Sequence, residues 1–577
     1  RGIVAAWEPS TQEMRIWNAT QNPHEVRLFC SRMLGIPETQ IHVSSKDVGG
    51  GFGQKWVVTR DEAVIILAAH HLGRGVKWIE DRWENLVASN HAREERMRVK
   101  MAFDADGHIL AAYVDHLDSM GAVPAGGGGG ASGALACAIF PGPYKFAVFG
   151  FKTATVWTNT CAKGPYRGPW MMETVAREMM MDIAARGMAI DPLELRRRNV
   201  IRQEDLPYTT AMMNVYDRIS PAETLEQVAD MLDYPTFRKE QAAARASGRH
   251  LGLGLAMYVE PSAIAFGALG VEVATLRVEP TGAVNVFTGT GSHGHSVETT
   301  MAQVVADQLG VDIDDVVVHQ GNTDAAPFGG GTGGSRTAVI AGGACQLAAK
   351  QLKAKIFEAA AHVMEAAPED LEIQSGTISV KGTPTKSMPL GQLAYMAYTA
   401  PSSLPAGMEA GFEATVRYTP PSTFTFSNAA HLCVCEVDVH TGKTTILRYL
   451  VSEDCGVMIN PQVVEGQIAG GVVQGIGGAL YEHMIYDDAG TPVTTSFMDY
   501  LVPTATEVPD IEYGHVVVES HTEGGFKGMG EGGAIGSPPA VVNAVADALV
   551  SFGGTITDQP VGSQQVFDWI QRASGTS

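Results

Sequence analysis

A single glutamate set among glycines, in Gly528-Met529-Gly530-Glu531-Gly532-Gly533, has the neighbours that acid–base chemistry asks for. Glycines at 530, 532 and 533 leave a substrate free to reach the carboxylate, and a carboxylate cut off from water is pushed toward the basicity of a general base. The plainer reading is a glutamate at a helix start, where the helix dipole favours negative charge. Arg167, in Gly164-Pro165-Tyr166-Arg167-Gly168-Pro169, is flanked by rigid and small residues, as suits a guanidinium held toward an anion or an oxo group. A surface arginine in a turn is the commoner case. His293 and His295 stand two apart in a glycine loop; zinc would want further ligands at matching spacing, none is present, and hydrogen bonding is the expected role. Cys433 and Cys435 alternate along CVCEVDVH, which puts both thiols on one strand face and predicts structural burial, since nothing completes an iron or zinc site.

Such residues need elements to hold them, and one arrangement recurs five times: a β-branched strand, a glycine loop, then an amphipathic helix. The first runs from Ile41-His42-Val43 through Gly49-Gly50-Gly51-Phe52-Gly53-Gln54-Lys55 into a helix at 61–72. The second takes Val284 to Phe287 through Gly289-Thr290-Gly291-Ser292-His293-Gly294 into a helix at 297–309, where Met301, Val304, Val305 and Leu309 fall at helical spacing. The third follows Val316 to Val318 through Gly329-Gly330-Gly331-Thr332-Gly333-Gly334-Ser335 into an Ala-rich helix reaching about 363. The fourth passes Asp454-Cys455-Gly456 and Asn460-Pro461 into the segment carrying Gln467 and Gln474. The fifth goes from Val516-Val517-Val518 through the Glu531 loop into a helix expected at 538–549. Upstream, Asn22 is a good cap, Pro23 fits the first helical position and Glu25 completes the pattern, so Gln21 sits at the mouth of a helix.

Glycine lets backbone N–H groups turn toward a ligand, and helix N-termini add partial positive charge, so these loops suit phosphate and other anions. Taken singly each is more often only a turn. Five together could surround a large, polar, phosphate-bearing cofactor. None is a nucleotide fingerprint: GGGFGQK lacks the GKS or GKT ending, and no GxGxxG follows a strand with a suitably spaced acid, which disfavours ATP and NAD.

The 577 residues exceed a usual single domain. A boundary is expected between 205 and 250, giving a first part over 1–205 and a second over 206–577. The net charge of −22 argues against nucleic acid, and no apolar run is long enough for a transmembrane segment. Seven scattered cysteines with no CxxC pair predict a reducing, cytoplasmic setting. The chain opens at Arg1 in mid-pattern, so an upstream region is expected to be missing or to form another chain.

As a set, Thr20-Gln21-Asn22, GGGFGQK, PYRG, TGTGSHGH, GGGTGGSR, NPQVVEGQIAGGVVQGIGGALYE and KGMGEGG resemble, in order and over nearly the whole chain, the molybdenum hydroxylase family of xanthine dehydrogenases, aldehyde oxidoreductases, aerobic carbon monoxide dehydrogenases and N-heterocycle dehydrogenases. The resemblance implies an α+β fold of two large molybdopterin-binding domains, with mixed sheets, packed helices and the cofactor at their interface. It implies molybdopterin, in bacteria often as the cytosine dinucleotide, whose dithiolene holds molybdenum without a protein ligand. Glu531 would be the base, Gln21 would hydrogen-bond an oxo ligand, and Gly51, Phe52, Gly53 and Arg167 would line the metal site. Gln474 and Gly530 would contact the pterin. Backbone at Gly291, Ser292, His293 and Gly294, and at Gly333, Gly334, Ser335 and Thr337, would hold pterin and pyrophosphate. Electrons would leave through an iron–sulfur subunit with two 2Fe-2S clusters and an FAD subunit, in a dimer of heterotrimers.

Departures from the family pattern narrow the chemistry. Copper-type carbon monoxide dehydrogenases carry cysteine after the Tyr-Arg pair, and here that residue is Gly168. Purine oxidisers carry glutamate where Trp56 stands and phenylalanine where Pro169 stands. The loop glutamine that usually touches the cofactor is replaced by His295. The resemblance thus points to hydroxylation of an N-heteroaromatic ring or an aldehyde, with Trp56, Pro169, Trp170 and Met171 as the substrate pocket. Its rivals are a carbon-monoxide-dehydrogenase-like subunit of other substrate, a non-catalytic cofactor scaffold and, disfavoured above, an NAD-dependent dehydrogenase.

Overall fold

Strand ends and helix starts meet repeatedly at one place, and that convergence builds the site. The computed structural model describes residues 1–123, 131–265, 267–553 and 555–573. Three four-stranded sheets carry the loops. The first, in spatial order, is Ile41–Ser44, Glu13–Asn18, Gly2–Glu8 and Val76–Ile79; the second is Val316–His319, Val284–Thr288, Glu272–Val278 and Phe412–Tyr418. The third is His250–Ser262, Thr425–Val437, Thr444–Asp454 and Ile511–His515. Each mixes one parallel pair with antiparallel ones, so the fold is α+β, as the family resemblance implies.

Four of the five units form as read, into helices Arg60–Leu72, Val297–Leu309, Gly342–Met364 and Pro461–Leu480. Asn22 caps the helix Pro23–Leu34 by accepting from the Glu25 N–H at 3.3 Å. The fifth unit differs. Its strand is Ile511–His515, not Val516 to Val518, and its helix is Gly532–Ala548, starting six residues before Pro538. Pro538 reads as a first helical residue because it cannot donate to a preceding turn. Here it lies inside the helix, where the Ser537 hydroxyl donates to the Gly533 carbonyl at 2.7 Å.

The helix Gly532–Ala548 lies across the strand His250–Ser262. The sequence HLGLGLA explains how: Gly252 and Gly254 share one face, and a Cβ on either would run into the Ala544 or Ala540 carbonyl. Cys433 and Cys435 are buried in the core beneath. A buried ionic network fastens the first half of the chain to the same strand. Arg177 pairs with Glu173 and Glu178 and donates to the Met257 carbonyl at 2.9 Å; Arg196 pairs with Asp182 at 2.8 Å and donates to the Leu255 carbonyl at 2.9 Å. Since the helix Met171–Met188 follows directly on Arg167, this network also fixes the arginine's approach. Among the described residues no helix is long and apolar enough to cross a membrane.

Candidate active site

A cavity of about 380 Å³ opens where the loops converge, a usual size for a small-molecule site. The loop after Ile41–Ser44 supplies Phe52, Gly53 and Trp56, that after Val284–Thr288 supplies His293, Gly294 and His295, and that after Val316–His319 supplies Thr332 to Ala338. Cys455 follows Thr444–Asp454, and Lys527 to Glu531 close the ring.

Gln21, just ahead of its helix cap, is buried and joins two of these loops. Its Nε2 donates to the Thr332 carbonyl at 2.9 Å and its Oε1 accepts from the Gly53 N–H at 2.9 Å. Gly51 stands behind it, since a Cβ there would come within 2.6 Å of the Gln21 side chain, and Gly291 packs on the Gln21 carbonyl. The Ser292 N–H is likewise turned away, to Gln320 Oε1 at 2.6 Å. Thus Gly51, Gly291 and Ser292 support the cavity from behind.

Arg167 is buried and uses its whole fork. Nε donates to the Gly530 carbonyl at 2.6 Å, one terminal nitrogen to the Gln467 carbonyl at 2.9 Å and Oε1 at 3.1 Å, and the other to Gln474 Oε1 at 3.4 Å. Its backbone N–H donates to the Phe52 carbonyl at 2.9 Å, with Phe52 held at φ 53°. That contact ties the arginine turn to the first glycine loop. Burial works against the guanidinium's charge and lowers its pKa, while Glu531, Tyr166 and Glu260 oppose the shift.

Glu531 lines the cavity at the start of the helix Gly532–Ala548. Its Oε1 accepts from the Gly168 N–H at 3.2 Å, and its Oε2 lies 3.3 Å from the Ser335 hydroxyl. Burial holds its carboxyl above the usual carboxylate range, with the Gly168 N–H, a hydrogen bond from Glu260 and the Arg167 charge pulling the other way. His293 and His295 stack with ring centroids 4.2 Å apart, and burial pushes them down to about 3 and about 4, so both rings are neutral.

Of the residues expected to form the substrate pocket, Trp56, Pro169 and Trp170 line the cavity. Met171 does not. It sits on the first turn of its helix and points into the core with Val175 and Ile535, because the turn at Gly168 (φ 68°) directs the chain inward. Gln474 also stands back from the cavity and reaches it through Arg167. Sequence reasoning misses Glu260 and Arg336 and gives Gln467 no role. It also misses an apolar wall at Ile264, Leu269, Met301 and Met458. The strand-end position of Glu260 is the one available signal.

The residues present fit an anionic cofactor that brings its own metal ligands. Gly294 (φ 107°) and Gly334 (φ 62°) line the cavity, and a Cβ on either would meet nothing within 4 Å, so bare backbone faces open space. His295 Nε2 is buried without a partner. Among the described residues no three His, Cys, Asp or Glu side chains gather as a metal site.

Comparison with known proteins agrees with this donor set. Family profiles described as molybdopterin cofactor-binding domains match residues 1–200 and 227–509. The nicotine 6-hydroxylase large subunit of Paenarthrobacter nicotinovorans is 39% identical over 98% of this chain and 70% of its own length. The carbon monoxide dehydrogenase large chain of Hydrogenophaga pseudoflava is 36% identical over 98% of this chain and 72% of its own. The crystal structure of quinoline 2-oxidoreductase from Pseudomonas putida 86 superimposes with a TM-score of 0.95 at 39% identity, covering 99% of this chain and 74% of that one. The chain therefore belongs to the molybdenum hydroxylase family, among its molybdopterin-binding large subunits.

Proposed function

We propose that this subunit hydroxylates an electron-poor carbon of a flat N-heteroaromatic ring, with Glu531 as general base. The observation that carries the reading is the Glu531 carboxyl, which lines the cavity within reach of the Gly168 N–H and next to the buried Arg167 fork. When bound, the molybdenum–pterin group would supply the water-derived oxygen and accept the carbon's hydrogen together with two electrons. Glu531 takes the proton released as the new C–O bond forms. Gln21, Phe52, Gly53 and Arg167 would hold the metal end, with Gly530 and, through Arg167, Gln474 at the pterin. Backbone at His293, Gly294, Gly333, Gly334, Ser335 and Thr337 would hold the rest, in the cytosine dinucleotide form. The division of the chain near 205 to 250 accords with the interval between the two profile matches.

Trp56, Trp170, Ile264 and Leu269 give the cavity flat and aliphatic walls, which suits a planar ring, and two of the relatives are named for nicotine and quinoline. Copper-type carbon monoxide chemistry is disfavoured at Gly168. A Cβ there would meet Ile535 at 2.8 Å, and its φ of 68° suits glycine, so a cysteine would strain the backbone and displace Ile535. The cysteines lie scattered, six of seven buried, and form no cluster site among the described residues, so electrons would leave through an iron–sulfur subunit and an FAD subunit, in the dimer of heterotrimers that the family resemblance implies.

Metal analysis and turnover of the natively purified complex test the reading. About one molybdenum and about four irons per chain are expected, as one cofactor and two two-iron clusters require, with oxidation of quinoline-type rings. Turnover of aromatic aldehydes alone would replace the ring assignment, and absence of both metals would favour a scaffold.

The pH dependence follows from the base. Glu531 works only when ionised, and burial raises its pKa, so activity falls as pH drops through that raised value. The acid limb of kcat/KM is expected above the ordinary glutamate value of about 4.3. A limb at or below that value would remove burial as the source of its basicity.

A further inference from the structure

Two carboxyls, not one, meet at the cavity's end. Glu260 lies near the end of the strand His250–Ser262, opposite Ser427 in register, and is 1% exposed. Its Oε1 accepts from the Ser335 hydroxyl at 2.6 Å, and its Oε2 lies 3.5 Å from the Ser427 hydroxyl. The Ser335 hydroxyl also lies 3.3 Å from Glu531 Oε2, so one hydroxyl bridges the two carboxyls. One hydroxyl proton cannot serve both.

Among the described residues no cation forms an ion pair with Glu260. From the strand Thr444–Asp454, two along in the same sheet, comes a third carboxyl, Glu453, which accepts from Tyr258 at 2.7 Å. Lys527 is bonded to Asp454 at 2.7 Å, and Arg167 directs its fork to Gly530, Gln467 and Gln474. A buried carboxylate with two hydroxyl partners and two carboxyl neighbours is costly, and two carboxyls bridged by one hydroxyl escape their repulsion by sharing one proton.

We propose that Glu260 is a positioning residue that keeps its proton at working pH and donates it to Glu531, fixing the base's orientation and keeping it ionised. Burial and the charge of Glu531 raise Glu260 well above the carboxylate range, and the same hydrogen bond pulls Glu531 down from where burial alone would leave it. The role rests on Glu531 being the base, but the proton on Glu260 can be observed without turnover.

Two variants of the purified complex test this: Glu260→Gln, which keeps a donor but cannot ionise, and Glu260→Ala, which keeps none. Infrared difference spectra of wild type against Glu260→Gln are expected to contain the carbonyl stretch of a protonated carboxyl near neutral pH. Absence of that band overturns the proposal. Glu260→Gln is expected to keep the acid limb of kcat/KM and a rate within about threefold, whereas Glu260→Ala moves the limb up by about one pH unit and lowers kcat about tenfold. An unmoved limb with full rate in Glu260→Ala overturns the positioning role. If Glu260→Ala does not accumulate, a Gln variant that loses rate and shifts the limb overturns it equally, because the amide donor then fails. A band that persists while Glu531→Gln retains full rate would sink the base assignment and leave the shared proton standing.

Discussion

Glu531→Gln is expected to lower kcat by roughly 10²- to 10⁴-fold, the range of general-base effects, while the complex keeps its full content of molybdenum. The separation follows from the contacts. A glutamine Oε1 still accepts from the Gly168 N–H, as the carboxylate does at 3.2 Å, and its amide nitrogen replaces the oxygen that faces Ser335. The amide keeps the volume, so Arg167 retains its bond to the Gly530 carbonyl and the loop stays in place. What goes is the ability to take a proton. Steady-state rates with a quinoline-type substrate, together with metal content, read the two effects separately. A variant within about threefold of wild type would show that another group takes the proton, and Glu260, which shares Ser335 with Glu531, would be the first to examine.

Much of this site is legible in the chain because glycine loops between periodic segments leave a strong pattern. Phe52, His293, Ser335 and Glu531 sit in those loops, and the structure brings all four to one cavity. The pattern fails where contacts join distant segments. Glu260 closes an almost wholly buried strand and reads as a polar residue at its edge; its meaning comes from Ser335 and Glu531, 75 and 271 positions away. Local rules place proline first in a helix and so start the last long helix at Pro538, whereas the helix runs back to Gly532 through a turn whose glycines pack closely, Gly532 on Tyr258, Gly533 on Gly471 and Gly536 on His431. Met171 is the last of the four expected pocket residues, yet helix geometry turns it into the core.

Arg336, equally silent in the sequence, carries the largest expected effect on stability. It closes the GGGTGGSR segment and is 1% exposed. Its Nε donates to the Leu269 carbonyl at 2.9 Å, and its terminal nitrogens reach Glu272 at 3.0 Å, the Val271 carbonyl at 2.9 Å and the Gly331 carbonyl. It thus ties the third glycine loop to the strand Glu272–Val278. Arg336→Met removes the cation from a wholly buried carboxyl whose pKa burial already raises, and it leaves three carbonyls without this donor. Breaking such a pair costs about 3–5 kcal/mol, read as a lower denaturant midpoint for the complex, and the loosened loop should also lower molybdenum per chain.

The double variant Glu272→Met with Arg336→Met separates the two consequences. Replacing both ions by apolar groups of similar volume is often neutral for stability, so the midpoint is expected to recover most of its loss. The carbonyls of Leu269, Val271 and Gly331 still lack their donor, so the loop stays loose and molybdenum content stays low. Recovery of both quantities would mean that the loop's shape is set by its glycines and its packing on Trp56 rather than by Arg336. Recovery of neither would place the loss in the carbonyl contacts, with the Glu272 charge contributing little.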